Sequence, residues 1–298
     1  MMVRKRYLRY CLFMMLLFAV MTTGCYSNSN TNGTSNANQA KSVKNNTIKE
    51  YKLVPNGAPE LAGGSENKNR NTHPLTLEEL RKKYRSNFHF SGSSTPPRVA
   101  LTFDDAPDQL FTPRVLDVLK EYKVKATFFV VGNRAQKHPD IINRIVKEGH
   151  ILGNHTYNHP NLAKVSNTIF QREVLDTQQT IKKLTGKTMR YLRPPYGNIT
   201  EEQIKWLVSK NISIVNWNVD SLDWKGLNAE QVLANVMGDV KAGAIVLQHS
   251  AGGEGEDLSG TVQALPQIIK QLGEQGIELV TVPELLNKPA YKINGHAS

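Results

Sequence analysis

The stretch VALTFDDAPD, residues 99–108, decides how the chain is read. Its first half is a short apolar run of the kind a strand buried on both faces shows. That run ends in two adjacent carboxylates, Asp104 and Asp105, directly before Ala106 and Pro107. Taken alone, the pair fits an exposed strand-to-loop turn, because Asp is a common turn residue and Pro107 stops a ladder. Alternatively the two carboxylates do different work, one binding a metal and the other handling a proton, which requires partners elsewhere in the chain.

Outward from this stretch the pattern is regular. Strand-like runs at RVALTF (98–103), ATFFVV (126–131), ISIVNWNV (212–219), AIVLQH (244–249) and IELVTV (277–282) are separated by helical patterns. The helical patterns are TPRVLDVLKEY (112–122), HPDIINRIVKEG (138–149), FQREVLDTQQTIKKL (170–184), AEQVLANVMGDV (229–240) and LPQIIKQLGEQG (265–276). Alternation of this kind predicts an α/β fold, a parallel sheet closed or nearly closed into a barrel. In such barrels chemistry collects at the C-terminal ends of the strands, which is where the two aspartates fall.

The next candidates are His155 and His159 in GNHTYNHP, four apart. Such a pair can share a helical face or a tight turn, and it can equally be packed core; Pro160 disfavours helix at His159 and points to a turn. Two imidazoles and one carboxylate make three protein ligands, which suits a catalytic metal site with an open position better than a closed structural one.

Upstream the composition changes. Arg4, Lys5, Arg6 and Arg9 precede the apolar run CLFMMLLFAVM (11–21), too short to span a membrane and suited to a secretory signal over residues 1–24. TTGC (22–25) resembles a bacterial lipobox, which would make Cys25 a lipidation site; Thr22 stands where Leu is usual, leaving plain secretion or an uncleaved anchor as alternatives. Cys11 lies inside the signal, so Cys25 is the only thiol left after cleavage and no intrachain disulfide can form. Residues 25–95 read as an Asn/Ser-rich disordered tether with one short helix at 76–85, TLEELRKKYR, opened by Thr76 and Glu79 in capping-box spacing. SGSSTPPR then marks the boundary of a folded domain at 96–287, followed by a tail at 288–298.

The formal charge is +11, of which the signal carries four positive residues and no acidic one, leaving +7. On an exported chain a basic surface points to an anionic cell envelope, and no Lys/Arg block with interleaved aromatics argues for nucleic acid.

Five short motifs in order, TFDDAP (102–107), HTYNH (155–159), RPPYG (193–197), DSLDW (220–224) and LQH (247–249), resemble the signatures of the NodB-homology polysaccharide deacetylases, carbohydrate esterase family four. The resemblance covers about residues 96–287 and implies a distorted (β/α) barrel. It further implies metal-dependent removal of acetyl groups from N-acetylated amino sugars of envelope polysaccharide, peptidoglycan N-acetylglucosamine first and chitooligosaccharide second. Carried over residue by residue, Asp105, His155 and His159 would hold a divalent metal, zinc foremost with cobalt or nickel as alternatives. Asp104 would be the base that activates water, gripped by Arg193. The backbone N–H of Tyr196 would face the oxyanion, and His249, oriented by Asp223, would protonate the departing amine. Trp224 and Leu247 would wall the acetyl pocket. The implied setting is the outer face of a bacterial cell membrane as a lipoprotein, or the exterior.

Ala106 departs from the pattern, since most members have Gly there. A positive φ at 106 would strain the loop and favour a rival reading, a wall-tethered polysaccharide-binding module with little turnover. His73, His89, His138, His150 and His296 lack a partner pattern and read as surface or structural, although His150 is near enough in sequence to support the metal motif.

Overall fold

The structure, a computed structural model, describes residues 76–292. The expected signal, Cys25, the tether as far as residue 75 and the tail beyond 292 lie outside the described residues.

The described residues begin with α1 (Thr76–Lys83) and β1 (Phe88–His89), then alternate: β2 (Arg98–Ala106), α2 (Thr112–Glu121), β3 (Thr127–Val130), α3 (Gly132–Lys137), α4 (Pro139–Lys147), β4 (Ile151–Asn154), α5 (Asn167–Thr185), β5 (Tyr191–Leu192), α6 (Glu201–Ser209), β6 (Ser213–Val215), β7 (Val219–Asp220), α7 (Ala229–Asp239), β8 (Ile245–His249), α8 (Ser259–Glu274), β9 (Glu278–Val280) and α9 (Val282–Leu286). The sheet order is β1-β6-β5-β4-β3-β2-β8-β7, with β9 paired to the start of β2. Its ladders are parallel, as strands joined by helical crossovers must be.

The run read as one strand at 212–219 explains how the sheet curls. Its first part, β6, pairs with β5 and β1 near one end of the sheet, while β7, a few residues on, pairs with β8 at the other. One short piece of chain therefore ties the two ends of the sheet together, giving a distorted barrel in place of a flat sheet.

Burial follows the expected logic. Every residue of β2 after Arg98 is buried, as are all four of β3, which is why both read as unbroken apolar runs. Phe103 and Phe128 stack between these strands with centroids 5.2 Å apart. Truncating such a phenylalanine to Ala costs about 3–5 kcal/mol. Outside the sheet, α4 turns Ile141, Ile142 and Ile145 inward, while Arg144 pairs with Asp117 and Glu148 on the solvent side.

Three expectations shift. The folded body starts ahead of residue 96: Leu77 of α1 is buried, and Phe88 of β1 pairs with Ile214. The tail also joins it, since Tyr291 bridges to Met189. The last long helix begins at Ser259, not at 265, and carries Pro266 in its interior. Its N-terminal turn packs so closely that a Cβ on Gly260 would fall 2.0 Å from the Leu227 carbonyl, a contact only glycine allows.

Candidate active site

Successive side chains on a strand point to opposite faces, so adjacent aspartates should not share a site. β2 breaks that rule. Its register against β3 shifts between Phe103 and Ala106, and Asp105 takes φ 66°, a left-handed conformation that costs a non-glycine residue roughly 1–2 kcal/mol and that Asp tolerates better than most. The irregularity swings both carboxylates to the same place: His155 Nε2 lies 3.6 Å from Asp104 Oδ2 and 3.5 Å from Asp105 Oδ1. Ala106 keeps a negative φ, so the residue bearing the strain is the aspartate, not the alanine.

His155 and His159 arrive on a turn, as Pro160 suggested. Thr156 and His159 both have positive φ, and the turn is clamped by side chains the sequence did not mark. Asn154 Oδ1 accepts from Thr156 N–H, and the carboxylate of Glu173 accepts from the backbone N–H groups of Tyr157 and Asn158. His155 Nδ1–H donates to the Arg193 carbonyl at 2.7 Å, which leaves its Nε2 lone pair facing inward. His159 Nδ1 meets Tyr196 Oη at 3.1 Å, so its Nε2 also faces inward, 3.2 Å from that of His155 and 3.3 Å from Asp105 Oδ1.

These three residues are the one group of potential metal ligands among the described residues whose donor atoms converge. Both oxygens of Asp105 are buried without a hydrogen-bond partner, and two imidazole nitrogens oppose each other at hydrogen-bond distance. A carboxylate left unsatisfied in a buried site is costly unless a cation compensates it, so the donor set fits a divalent metal.

Two paired groups flank the triad. Arg193, fully buried, donates from Nη1 to Asp104 Oδ1 at 2.7 Å and to Thr102 Oγ1 at 2.8 Å, and its other nitrogens donate to the carbonyls of Val215 and Asn216. Its guanidinium lies 4.1 Å from the centroid of the Phe129 ring. With every direction occupied, Arg193 fixes one oxygen of Asp104 and leaves Oδ2 toward the histidines. On the neighbouring strand, in register with Asp104, His249 donates from Nδ1 to Asp223 Oδ1 at 2.7 Å. Burial alone would raise the Asp223 carboxyl, but the His249 charge and bonds from the His249 side chain, Thr261 Oγ1 and His249 N–H outweigh it and hold the group below the usual range.

Leu247 sits two residues before His249, hence on the same face of β8, and Trp224 directly follows Asp223 in a short turn; both are buried. Tyr196 adopts φ 60° after Pro195, which turns its peptide plane out of the extended path. His150, by contrast, is at the other end of β4. Its Nδ1 accepts from Ala126 N–H and its ring packs edge-on against Phe128, so it is structural and lends nothing to the metal triad.

Residues 91–215 match the polysaccharide deacetylase family model. The chain is 47% identical over 198 residues to a peptidoglycan-N-acetylglucosamine deacetylase of Bacillus cereus, covering 66% of this chain and 71% of that one. The chain belongs to the polysaccharide deacetylase family. A crystal structure of a peptidoglycan N-acetylglucosamine deacetylase bound to an N-hydroxybenzamide superposes with TM-score 0.70 at 44% identity, over 73% of this chain and 100% of that one. A Bacillus anthracis protein described as a CE4 family pseudoenzyme also superposes, with TM-score 0.63 and 30% identity over 68% of this chain and 71% of that one. As a polysaccharide deacetylase the chain is a hydrolase that removes acetyl groups, yet the pseudoenzyme shows that this fold can occur without turnover. The side chains must carry the case for chemistry.

Proposed function

We propose that this polysaccharide deacetylase is a zinc-dependent N-deacetylase of peptidoglycan N-acetylglucosamine, held at the outer face of the cell membrane through Cys25 or released from it. One observation carries the catalytic reading: the Asp105–His155–His159 triad is flanked by an Arg193-held carboxylate and an Asp223-held imidazole. The peptidoglycan reading rests on the Bacillus cereus relative. The membrane reading rests on residues 1–25 alone.

A divalent cation held by Asp105, His155 and His159 would supply Lewis acidity to water and to the amide carbonyl. Asp104, pinned through Oδ1, uses Oδ2 to take the proton from attacking water. The Tyr196 N–H, presented by the turned peptide, meets the negative oxygen that develops on the acetyl carbon. His249, with Nδ1–H committed to Asp223, has Nε2 to give a proton to the amine as the C–N bond breaks. Leu247 and Trp224 accept the methyl. The products are acetate and a glucosamine residue that is cationic at neutral pH.

A strained Ala106 with Asp104 turned away would have favoured the rival binding-module reading. Ala106 has a negative φ and Asp104 is bonded to Arg193, so the observations favour turnover. Acetate release from peptidoglycan and from chito-oligomers, measured on metal-stripped protein titrated with Zn²⁺, Co²⁺ or Ni²⁺, tests the proposal. Metal-dependent release that is faster on peptidoglycan is the expected result. Release only from chito-oligomers would reassign the substrate, and none from either polymer with metal bound would restore the binding module. Mass spectrometry of the N-terminal peptide of protein from a membrane fraction tests lipidation at Cys25.

A further inference from the structure

Arg134 takes no part in the chemistry above, yet it is fully buried and its guanidinium is aimed at the site. Its Nη1 donates to the Asp105 carbonyl at 3.0 Å, and its Nη2 donates to the Gly252 carbonyl at 2.6 Å. The first carbonyl belongs to the metal-triad residue with left-handed backbone; the second belongs to the loop that leaves β8 after His249. One rigid fork thus joins the end of β2 to the segment that carries the general acid.

The residues around it do the same for the rest of the triad. Val131 N–H donates to the Ala106 carbonyl, Gly132 N–H to Thr156 and Asn133 N–H to Tyr157, the last two inside the His155–His159 turn. A Cβ on Gly132 would lie 2.4 Å from Tyr157 Cδ2 and 3.1 Å from Tyr157 Cα, so this approach is open only to glycine. Residues 131–134 therefore grip the backbone of both segments that supply metal ligands and of the loop beyond His249.

We propose that Arg134 is a positioning residue that sets the bite of the Asp105–His155–His159 triad and keeps it in register with His249; this rests on the metal reading of the site. A buried cation is disfavoured unless its hydrogen bonds are well made, and a cation beside a metal site is disfavoured further, so packing alone is a poor reason to keep Arg here. Lys carries the same charge but concentrates it on one nitrogen, and it cannot reproduce a planar fork to two carbonyls.

The test uses Arg134→Lys and Arg134→Met, with Ile142→Ala as a control, a core truncation on α4. Zn²⁺ affinity of stripped protein is read by chelator competition, the Co²⁺ visible spectrum reports ligand geometry, and kcat and KM are measured on a chito-oligomer. Arg134→Met is expected to weaken Zn²⁺ binding by roughly 10-fold or more and to alter the Co²⁺ bands, as loss of outer-shell support does at metal sites. Its kcat should drop while KM stays within about two-fold, because bite and register matter most in the transition state. Arg134→Lys should fall between Met and wild type, and it carries the test if the Met variant does not fold. Ile142→Ala should lose stability and keep wild-type Zn²⁺ affinity. Wild-type affinity and spectrum in the Lys and Met variants, or an equal loss of affinity in the control, would overturn the proposal. A wild-type protein that binds no Zn²⁺ would overturn the metal reading and this inference with it.

Discussion

β4 carries a histidine just before its first residue and another just after its last, and the two could hardly be more different. His150, at the N-terminal end, is buried with Nδ1 accepting a backbone N–H, and burial, reinforced by the charge of Lys125, pushes its pKa down to about 4. His155, at the C-terminal end, has Nδ1 tied to a carbonyl and Nε2 turned to a second imidazole and two carboxylates. Residue type, strand and burial are shared. The difference is which end of the barrel the ring faces: at one end Nδ1 is spent on a backbone N–H and the ring on packing against Phe128, and at the other Nδ1 anchors the ring and Nε2 is presented as a ligand.

The largest effect is expected at the C-terminal end. His155→Ala should abolish high-affinity metal binding and acetate release together, whereas the equivalent change at His150 should spare both; metal content after dialysis and an acetate assay decide it. A His155→Ala protein that kept stoichiometric metal would remove His155 from the ligand set. Next in size is Asp104→Asn. It should keep metal stoichiometry and lose kcat by about 10²–10⁴-fold, since the ligands survive and the proton acceptor does not. Parallel loss of metal would mean that the two aspartates have exchanged roles.

How much of this was legible beforehand divides along physical lines. The strands at β2, β3 and β8 and the amphipathic helix α4 announce themselves because burial on both faces, or on one stripe, writes a continuous pattern. β5 and β7, two residues each, are too short to write one, and β6 and β7 merge into a single apolar run whose division depends on which neighbours each half meets. At the site, Asp104, Asp105, His155, His159, Arg193, Asp223 and His249 could be read from motif order, and the structure brings them together. Arg134, Glu173 and Thr261 could not, nor could the role of Thr102, although the TFDDAP motif contains it. They act by hydrogen bonds to backbone or to other side chains across 15 to 118 positions of sequence, and a buried Arg or Glu is written with the same letter as a solvated one. The bulge that lets adjacent aspartates share a face is likewise invisible as composition.

His150 also makes stability depend on pH. Its folded pKa, about 4, lies below the ordinary 6.5, so the folded state binds fewer protons than the unfolded chain between these values. The stability it confers is present in full above pH 6.5 and is lost as pH falls toward 4, by about 3 kcal/mol over that window. His89, held near the same value by burial and the Lys288 ammonium, adds a loss of the same sign. His150→Asn keeps an acceptor for Ala126 N–H but removes the ring from Phe128. It should cost about 1–2 kcal/mol at pH 8 and be about 1 kcal/mol more stable than wild type near pH 4.5, where wild type has lost more than that advantage and Asn, which does not titrate, has lost none. Urea unfolding at both pH values measures this, and acetate release at pH 8 should match wild type. A constant difference at the two pH values would mean that His150 is not buried neutral.

The smallest effect belongs to Ala106, where this chain leaves its family's pattern. Ala106 is buried in the β2 ladder, its carbonyl accepts from Val131 N–H, and its φ is negative, so glycine's conformational freedom answers no need there. The adjacent left-handed residue is Asp105, whose side chain the site requires, which is why the freedom cannot be placed where it would help. Ala106→Gly would enlarge the conformational space of the unfolded chain and remove a buried methyl without relieving any strain. The expected outcome is a loss of roughly 0.4–1 kcal/mol in chemical denaturation, with kcat and Zn²⁺ affinity within two-fold of wild type. A Gly variant several-fold faster than wild type would show instead that the methyl restrains the loop bearing both aspartates, and that the alanine tunes activity at the very strand end that separates His155 from His150.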